Sequence, residues 1–226
     1  KVFVLNNGDF ELFSSRNFVK KRKLFIVPGS GIDTHYFYFN RLSNLGLKFL
    51  FVGRILKDKG ICECIEAFKI LKSKFSNVEL YIAGKLDVDN KSVLNRNDFF
   101  NLIDFEGIFY LGEVKDVKSL FTSVDIFVLP SYREGLSRSI LEASSMSLPV
   151  ITTDVPGCND IVLDNKTGFL CKPKDSSDLF LKMSKMCTLT EEERLLMGKL
   201  GRERIECNFD SKIVDSYYLD AIAEFI

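Results

Sequence analysis

Three observations predict a doubly wound, Rossmann-like α/β fold with a parallel sheet. Short apolar runs recur along the chain, they alternate with longer stretches of helical period, and each run is bounded by Gly, Pro or charge. The runs are KLFIVPG (23–29), KFLFVGR (48–54), VELYIAG (78–84), IFYLG (108–112), DIFVLP (125–130) and PVITT (149–153). Mainly apolar and rich in β-branched or aromatic residues, they read as strands buried on both faces, as parallel strands are. Strand–helix–strand repetition then gives the doubly wound architecture.

Taken in order, KVFVLNNGDF begins inside a strand, a helical stretch follows near Glu11–Val19, and a strand at Leu24–Val27 runs into the loop PGSGID. Leu42–Gly46 reads as a linker, and a self-contained domain is expected to begin at Leu47. Ile61–Phe75 sets Ile61, Ile65, Phe68 and Leu71 near one helical face. Val117–Phe121 and Leu136–Met146 also suit helix, and the C-terminal third reads as nearly all helical. It closes with an amphipathic helix over Asn208–Ile226 whose apolar side would carry Phe209, Ile213, Tyr217 and Ile222. The expected organisation is therefore a short first piece (1–46), a complete domain (47–208) and a final helix (209–226).

Composition narrows the function classes. The 226 residues correspond to about one and a half domains. With 46% hydrophobic residues, 21 Phe and only 5 Pro, the chain can bury a real core. Lys and Arg balance Asp and Glu at 31 each, so a chain-wide electrostatic grip on nucleic acid is excluded. No apolar run reaches the roughly 18 residues of a membrane span, and the N-terminus lacks a signal-peptide layout. The six cysteines contain no C-x-x-C pair and read as buried thiols of a reducing cytoplasm. His35 is the sole histidine, which rules out a histidine cluster within this chain.

Two familiar nucleotide motifs are absent. Gly29-Ser30-Gly31 follows a strand, but position 34 is Thr and no helix-opening glycine completes a dinucleotide fingerprint. Gly53 and Gly60 lack the Lys-Ser/Thr pair of a Walker loop. What the chain has instead is FVGRILKDKG (51–60), directly after a buried strand and opening a helix. Gly53 lets backbone approach a ligand, and Arg54 and Lys59 at a strand's carboxyl end suit a pyrophosphate. The plain alternative is a solvated charged loop. A second constellation, PSYREGLSRSILEA (130–143), also follows a buried strand. Glu134 and Gly135 occupy a turn, Ser137 is a good N-cap, and the helix N-terminus offers backbone N–H groups to phosphate. Glu134 and Glu142 would lie about 12 Å apart if the stretch were all helical, one suited to a sugar and the other to a ribose. Ionised carboxylates accept hydrogen bonds from vicinal hydroxyls.

Arg54…Lys59-Gly60 followed by Glu134-x7-Glu142 resembles the donor site of the retaining, GT-B fold glycosyltransferases of family four. Supporting pieces occur in the same order: PGSGID, FVGRILKDKG, VELYIAG, IFYLGEVKDV, VDIFVLPSYREGLSRSILEA, LPVITTDVPGCNDIV and NKTGFL, over about residues 24 to 180. The YREGL and DVPGCNDIV segments are similar to bacterial enzymes that build surface polysaccharide or lipid-linked glycans. The resemblance implies one complete half of a GT-B fold, with 1–46 as a remnant of the N-terminal acceptor domain, 47–208 as the donor domain and 209–226 as the helix crossing back.

The roles it implies follow residue by residue. Arg54 and Lys59 would bind the diphosphate and stabilise the leaving nucleotide, Glu134 would contact the donor sugar, and Glu142 would hold the ribose hydroxyls. The backbone around Gly135, Leu136 and Ser137 would meet the distal phosphate, with Gly53 beside it. Tyr110 and Leu111 would lie against the base. The expected reaction is transfer of a sugar, with retention, from a UDP-sugar to a glycan or lipid-linked acceptor. No metal or other cofactor is expected; Asp87 and Asp89 in KLDVDN resemble a metal motif only superficially. A cytoplasmic protein touching the inner face of the membrane is implied. The alternative is a nucleotide-sugar-binding module without turnover that needs a missing N-terminal half; an epimerase of the same fold is disfavoured by the E-x7-E pattern. With most of one domain absent, an exposed apolar patch and dimerisation are expected.

Two departures from the family pattern stand out. Ser137 replaces the Pro of many relatives, and Ser144–Ser147 lacks their small-plus-Gly helix end. The family's catalytic-site histidine belongs to the N-terminal domain, and His35 is not given that role.

Overall fold

Apolar strands too short to bury an edge alone pair into two parallel sheets in the computed structural model, which describes residues 1–39, 47–86 and 94–223. The expected linker at 42–46 and the Asp87/Asp89 motif lie outside the described residues. The larger sheet is built from β3 (Leu47–Val52), β4 (Val78–Ala83), β5 (Ile108–Gly112), β6 (Ile126–Leu129), β7 (Val150–Thr153) and β8 (Gly168–Cys171). Its order is β5-β4-β3-β6-β7-β8, all parallel. In sequence rank this is 3-2-1-4-5-6, the dinucleotide-domain order, whose direction reverses between β3 and β6. The smaller sheet pairs β1 (Val2–Val4) with β2 (Leu24–Ile26), joined by α1 (Asn7–Ser15).

Helices seal both faces of the large sheet. α2 (Ile61–Lys74) packs with α3 (Arg96–Ile103) and with α6 (Ser176–Thr188), while α5 (Arg138–Ser145) packs with α7 (Glu191–Asn208). A short α4 (Val117–Thr122) leads from β5 to β6, and α8 (Ser211–Ala223) closes the described chain. β6 and β7 are buried along their whole length, the condition of a central parallel strand. Ile61, Ile65, Phe68 and Leu71 are all fully buried, as their spacing predicts. Each such side chain contributes about 1.5–3 kcal/mol by leaving water.

Several elements differ from expectation. The first helix starts at Asn7 rather than near Glu11, because Asn6 caps it by accepting from the Asp9 amide. β8 interrupts a stretch read as helical, and α3 was not foreseen. The final amphipathic stretch is two helices, broken where Phe209 leaves helical geometry (φ −132°) and Asp210 accepts from Lys212 N–H. The break resets the phase: Val214 is buried and the Tyr218 hydroxyl donates to Gly29 O (3.0 Å), while Tyr217 and Ile222 are exposed. Cys207 is exposed and Cys62 and Cys187 only half-buried, so the thiols are not uniformly buried. Burial does push Cys158 up to about 11 and Cys171 up to about 12.

The segment 31–39 is fastened to the large unit by backbone. Ile32 N–H donates to Phe209 O and Ser211 N–H to Ile32 O, both at 2.9 Å. Arg202 adds Nη1 to Phe37 O (2.9 Å) and Nη2 to Thr34 O (3.1 Å).

Just beyond the Met146 C-cap of α5, Ser147 adopts the left-handed region (φ +59°). Leu148 N–H reaches back to Ala143 O at 3.0 Å and holds the turn. Left-handed geometry costs a non-glycine residue roughly 1–2 kcal/mol, against roughly 0.5–1 for glycine's extra entropy. Ser147→Gly is therefore expected to stabilise the chain by about 0.5–1 kcal/mol in urea denaturation; a loss of stability would refute the strain assigned to this turn.

Candidate active site

At the reversal point, β3 and β6 lie side by side but send their following helices to opposite faces of the sheet. A crevice must open between the two strand-to-helix loops. The β3 loop runs through Gly53 and Arg54 into a 3₁₀ turn, Lys57–Lys59, and then Gly60 (φ +73°). Gly60 is required twice over, by that left-handed conformation and because a Cβ would sit 2.0 Å from Pro130 O. This contact presses the β3 loop onto the exit of β6. Tyr132 N–H and Ser131 Oγ both donate to Asp58 O, at 2.8 and 3.2 Å. The Tyr132 hydroxyl donates to Glu63 Oε1 on α2 (2.6 Å).

With the loops tied, Lys59 Nζ meets Glu134 Oε1 at 2.6 Å, with side-chain exposures of 20% and 12%. The next turn is held by Ser137 N–H donating to Gly157 O (3.1 Å). Ser137 occupies the N-cap of α5, but its hydroxyl makes no capping bond and lies 3.5 Å from Ser139 Oγ. α2 likewise begins on Gly60 with no side-chain cap. By contrast α1, α3, α4, α6 and α7 are capped by the side chains of Asn6, Asn95, Asp116, Asp175 and Thr190. α5, whose first residues line the crevice, thus leaves its first-turn amides without a side-chain cap, the arrangement that receives an anion.

The crevice holds about 400 Å³ and is lined by Gly53, Arg54, Lys59, Glu134, Leu136, Ser137 and Glu142, with Arg138 and Ser139 added. Seven of the ten residues singled out from sequence therefore share one cavity. Gly135 lies at its edge, with its carbonyl accepting from Asn6 Nδ2 (2.7 Å). Tyr110 and Leu111 are not among its lining residues. Tyr110 sits on the edge strand, donates to Gly84 O (2.8 Å) and packs edge-on against Phe99 (5.0 Å between centroids), while Leu111 faces solvent. The Ser137 amide is already engaged by Gly157 O, so it is not a free donor for phosphate. Arg138, missed from sequence, stands four residues before Glu142, a spacing that marks a helical ion pair; its Nε donates to Glu142 Oε1 at 2.9 Å.

The family follows from the same stretch of chain. Residues 40–204 match the family model described as Glycosyl transferases group 1. The chain belongs to this family. The Staphylococcus aureus capsular polysaccharide biosynthesis glycosyltransferase CapM is 34% identical over 202 residues, which is 89% of this chain and 51% of the relative. The Campylobacter jejuni N,N'-diacetylbacillosaminyl-diphospho-undecaprenol alpha-1,3-N-acetylgalactosaminyltransferase is 27% identical over 231 residues, 96% of this chain and 58% of the relative. The chain spans just over half the length of these curated relatives.

Among solved structures, a glycosyltransferase from Rickettsia africae ESF-5 superposes with TM-score 0.84 at 20% identity, over 99% of this chain and 63% of that one. Anabaena HepE in complex with UDP and glucose gives 0.83 at 15% identity, over 98% and 62%. The fold is that of GT-B glycosyltransferases. Among the described residues no group of three or more His, Cys, Asp or Glu could hold a metal, and no helix is long and apolar enough to cross a membrane.

In this glycosyltransferase-family site, Glu142 is the buried carboxylate, with 9% of its surface exposed. Burial raises its pKa above the ordinary glutamate value, and the hydrogen bond and charge of Arg138 only partly oppose it. The folded protein therefore binds this proton more tightly than the unfolded chain. The stability it lends is complete below the unfolded value and is lost as pH rises through the raised one. Glu142→Gln is accordingly expected to raise the thermal midpoint at about pH 7.5 and to lose that advantage at about pH 4, read by calorimetry; equal midpoints at both would remove the desolvation argument. Gly60→Ala should destabilise by at least about 2 kcal/mol, from left-handed strain and the Pro130 clash together, and an unchanged urea midpoint would contradict the loop packing.

Proposed function

We propose that this chain is the donor-binding part of a retaining glycosyltransferase that takes a sugar from a nucleotide-sugar, a UDP-sugar by preference, and passes it to a glycan or lipid-linked acceptor. One observation carries the reading: two cations, two carboxylates and an uncapped helix N-terminus converge on a single crevice at the sheet's reversal point. The names of the relatives support polysaccharide or undecaprenyl-diphosphate-linked glycan synthesis as the setting. The HepE structure, alike in fold, holds UDP and glucose.

In this reading Arg54 and Lys59 carry the diphosphate, Glu134 the donor sugar and Glu142 the ribose hydroxyls. Lys59 is paired with Glu134 across the crevice, so the two charges offset one another. As the sugar departs through an oxocarbenium-like state, negative charge grows on the leaving diphosphate, where the cations and the α5 amides are aimed. Neutralisation by these groups needs no metal. We assign 1–46 to the end of an acceptor domain, 47–208 to the donor domain and 209–226 to the helix crossing back. The setting is the cytoplasm, at the inner face of the membrane, with a dimer formed through the exposed apolar surface of the first piece and α8.

The second reading is nucleotide-sugar binding without turnover, for which the crevice's own groups suffice. Incubation of the 226-residue chain with a UDP-sugar separates them: release of UDP supports an enzyme, and binding without release supports the module. Where turnover is seen, Lys59→Ala is expected to lower kcat about 100-fold, the usual loss for one transition-state charge donor. Glu142→Ala should weaken UDP binding about 10-fold or more in calorimetry, the worth of a charged hydrogen bond; undiminished affinity would remove the ribose role.

A further inference from the structure

Arg138 has no role in the reading above, yet it lines the same crevice as Arg54 and Lys59. It is the first residue of α5, so its side chain leaves the helix beside the uncapped amides. Its Nε donates to Glu142 Oε1 at 2.9 Å, and its Nη1 and Nη2 make no protein hydrogen bond among the described residues. The side chain is 69% exposed, whereas its partner is 12% exposed, so the guanidinium reaches from a buried carboxylate into the open cavity. Lys59, in contrast, is engaged across the crevice by Glu134.

A guanidinium is planar and rigid, and its two Nη groups form a fork that matches two oxygens of a phosphate. A group that holds a carboxylate through Nε and keeps this fork unspent can serve two neighbouring parts of one ligand. If Glu142 takes ribose hydroxyls, the neighbouring part of the ligand is the phosphate joined to that ribose. We propose that Arg138 is a further donor-recognition residue, its Nη fork taking the phosphate attached to the ribose while its Nε keeps Glu142 aimed at the ribose hydroxyls. The inference rests on the donor-site reading and sharpens it, dividing the two phosphates between Arg138 on α5 and the Arg54/Lys59 loop on the far side. Only the arginine end of this ion pair is exposed, so the Nη fork stands in the open cavity while Nε stays with the buried carboxylate.

Affinities of uridine, UMP and UDP, measured by calorimetry on the 226-residue chain and its variants, test this. Arg138→Ala is expected to cut the gain of UMP over uridine about 10-fold. The gain of UDP over UMP should stay unchanged, and the thermal midpoint should fall at neutral pH because the buried Glu142 loses the partner that offsets its desolvation. Arg138→Lys, which keeps charge without the fork, should recover only part of the lost gain. A parallel fall for uridine and UMP would reduce Arg138 to a support for Glu142 and overturn the proposal, as would no change at all or full recovery by lysine. The donor-site reading fails separately: in that case wild-type protein shows no gain of UMP over uridine, or Glu142→Ala leaves uridine affinity unchanged.

Discussion

The reversal of strand order between β3 and β6 is the constraint from which the site follows. A right-handed crossover obliges each helix to leave its strand toward one face, so neighbours built in opposite directions must part at their carboxyl ends. The charged groups of the crevice come from the β3 loop and its turn (Arg54, Lys59) and from the β6 loop with the helix it opens (Glu134, Arg138, Glu142). The same geometry sets the N-terminus of α5 at this opening, and it carries no capping side chain while five other helices do. A cap would have filled the space that an anion needs. The hydroxyl of Ser137, well suited to capping by type, is turned toward Ser139 instead.

Much of the fold was legible because parallel strands buried on both faces leave continuous apolar runs, and the six runs fall on β2 to β7. β8 escaped notice because it is four residues long, opens with glycine and lies between polar turns. That glycine is needed, since a Cβ would meet Val150 O of β7 at 2.0 Å, and it weakens the very signal by which strands are read. The end of the chain misled in another way. Its apolar residues keep a helical period across Phe209, but one local bond from Asp210 to Lys212 N–H shifts the phase, and periodicity cannot register such a break.

The crevice was legible where charge and glycine punctuate strand ends, as at Arg54, Lys59 and Glu134, while Glu142 showed through its spacing on the helix that follows. It was illegible where burial decides. Tyr110 is expected against a base, but its hydroxyl donates to the Gly84 carbonyl and its ring packs edge-on with Phe99, contacts that the sequence does not announce. Arg138 reads like an ordinary solvated helix charge until the burial of Glu142 gives it a purpose. The pair is asymmetric: the carboxylate carries the desolvation, and the arginine remains largely in water.

Asn6 links the small sheet to this crevice. Its side chain caps α1 through the Asp9 amide and donates to Gly135 O at 2.7 Å, and it is only 2% exposed. One buried amide is thereby shared between the start of α1 and the turn that follows Glu134. Sliding α1 away from the donor turn would strand a buried donor, at a cost of about 1–3 kcal/mol, before any apolar contact is lost. The small sheet is therefore tied to the crevice through one residue, and any tilt of it would pull on the turn that carries Glu134.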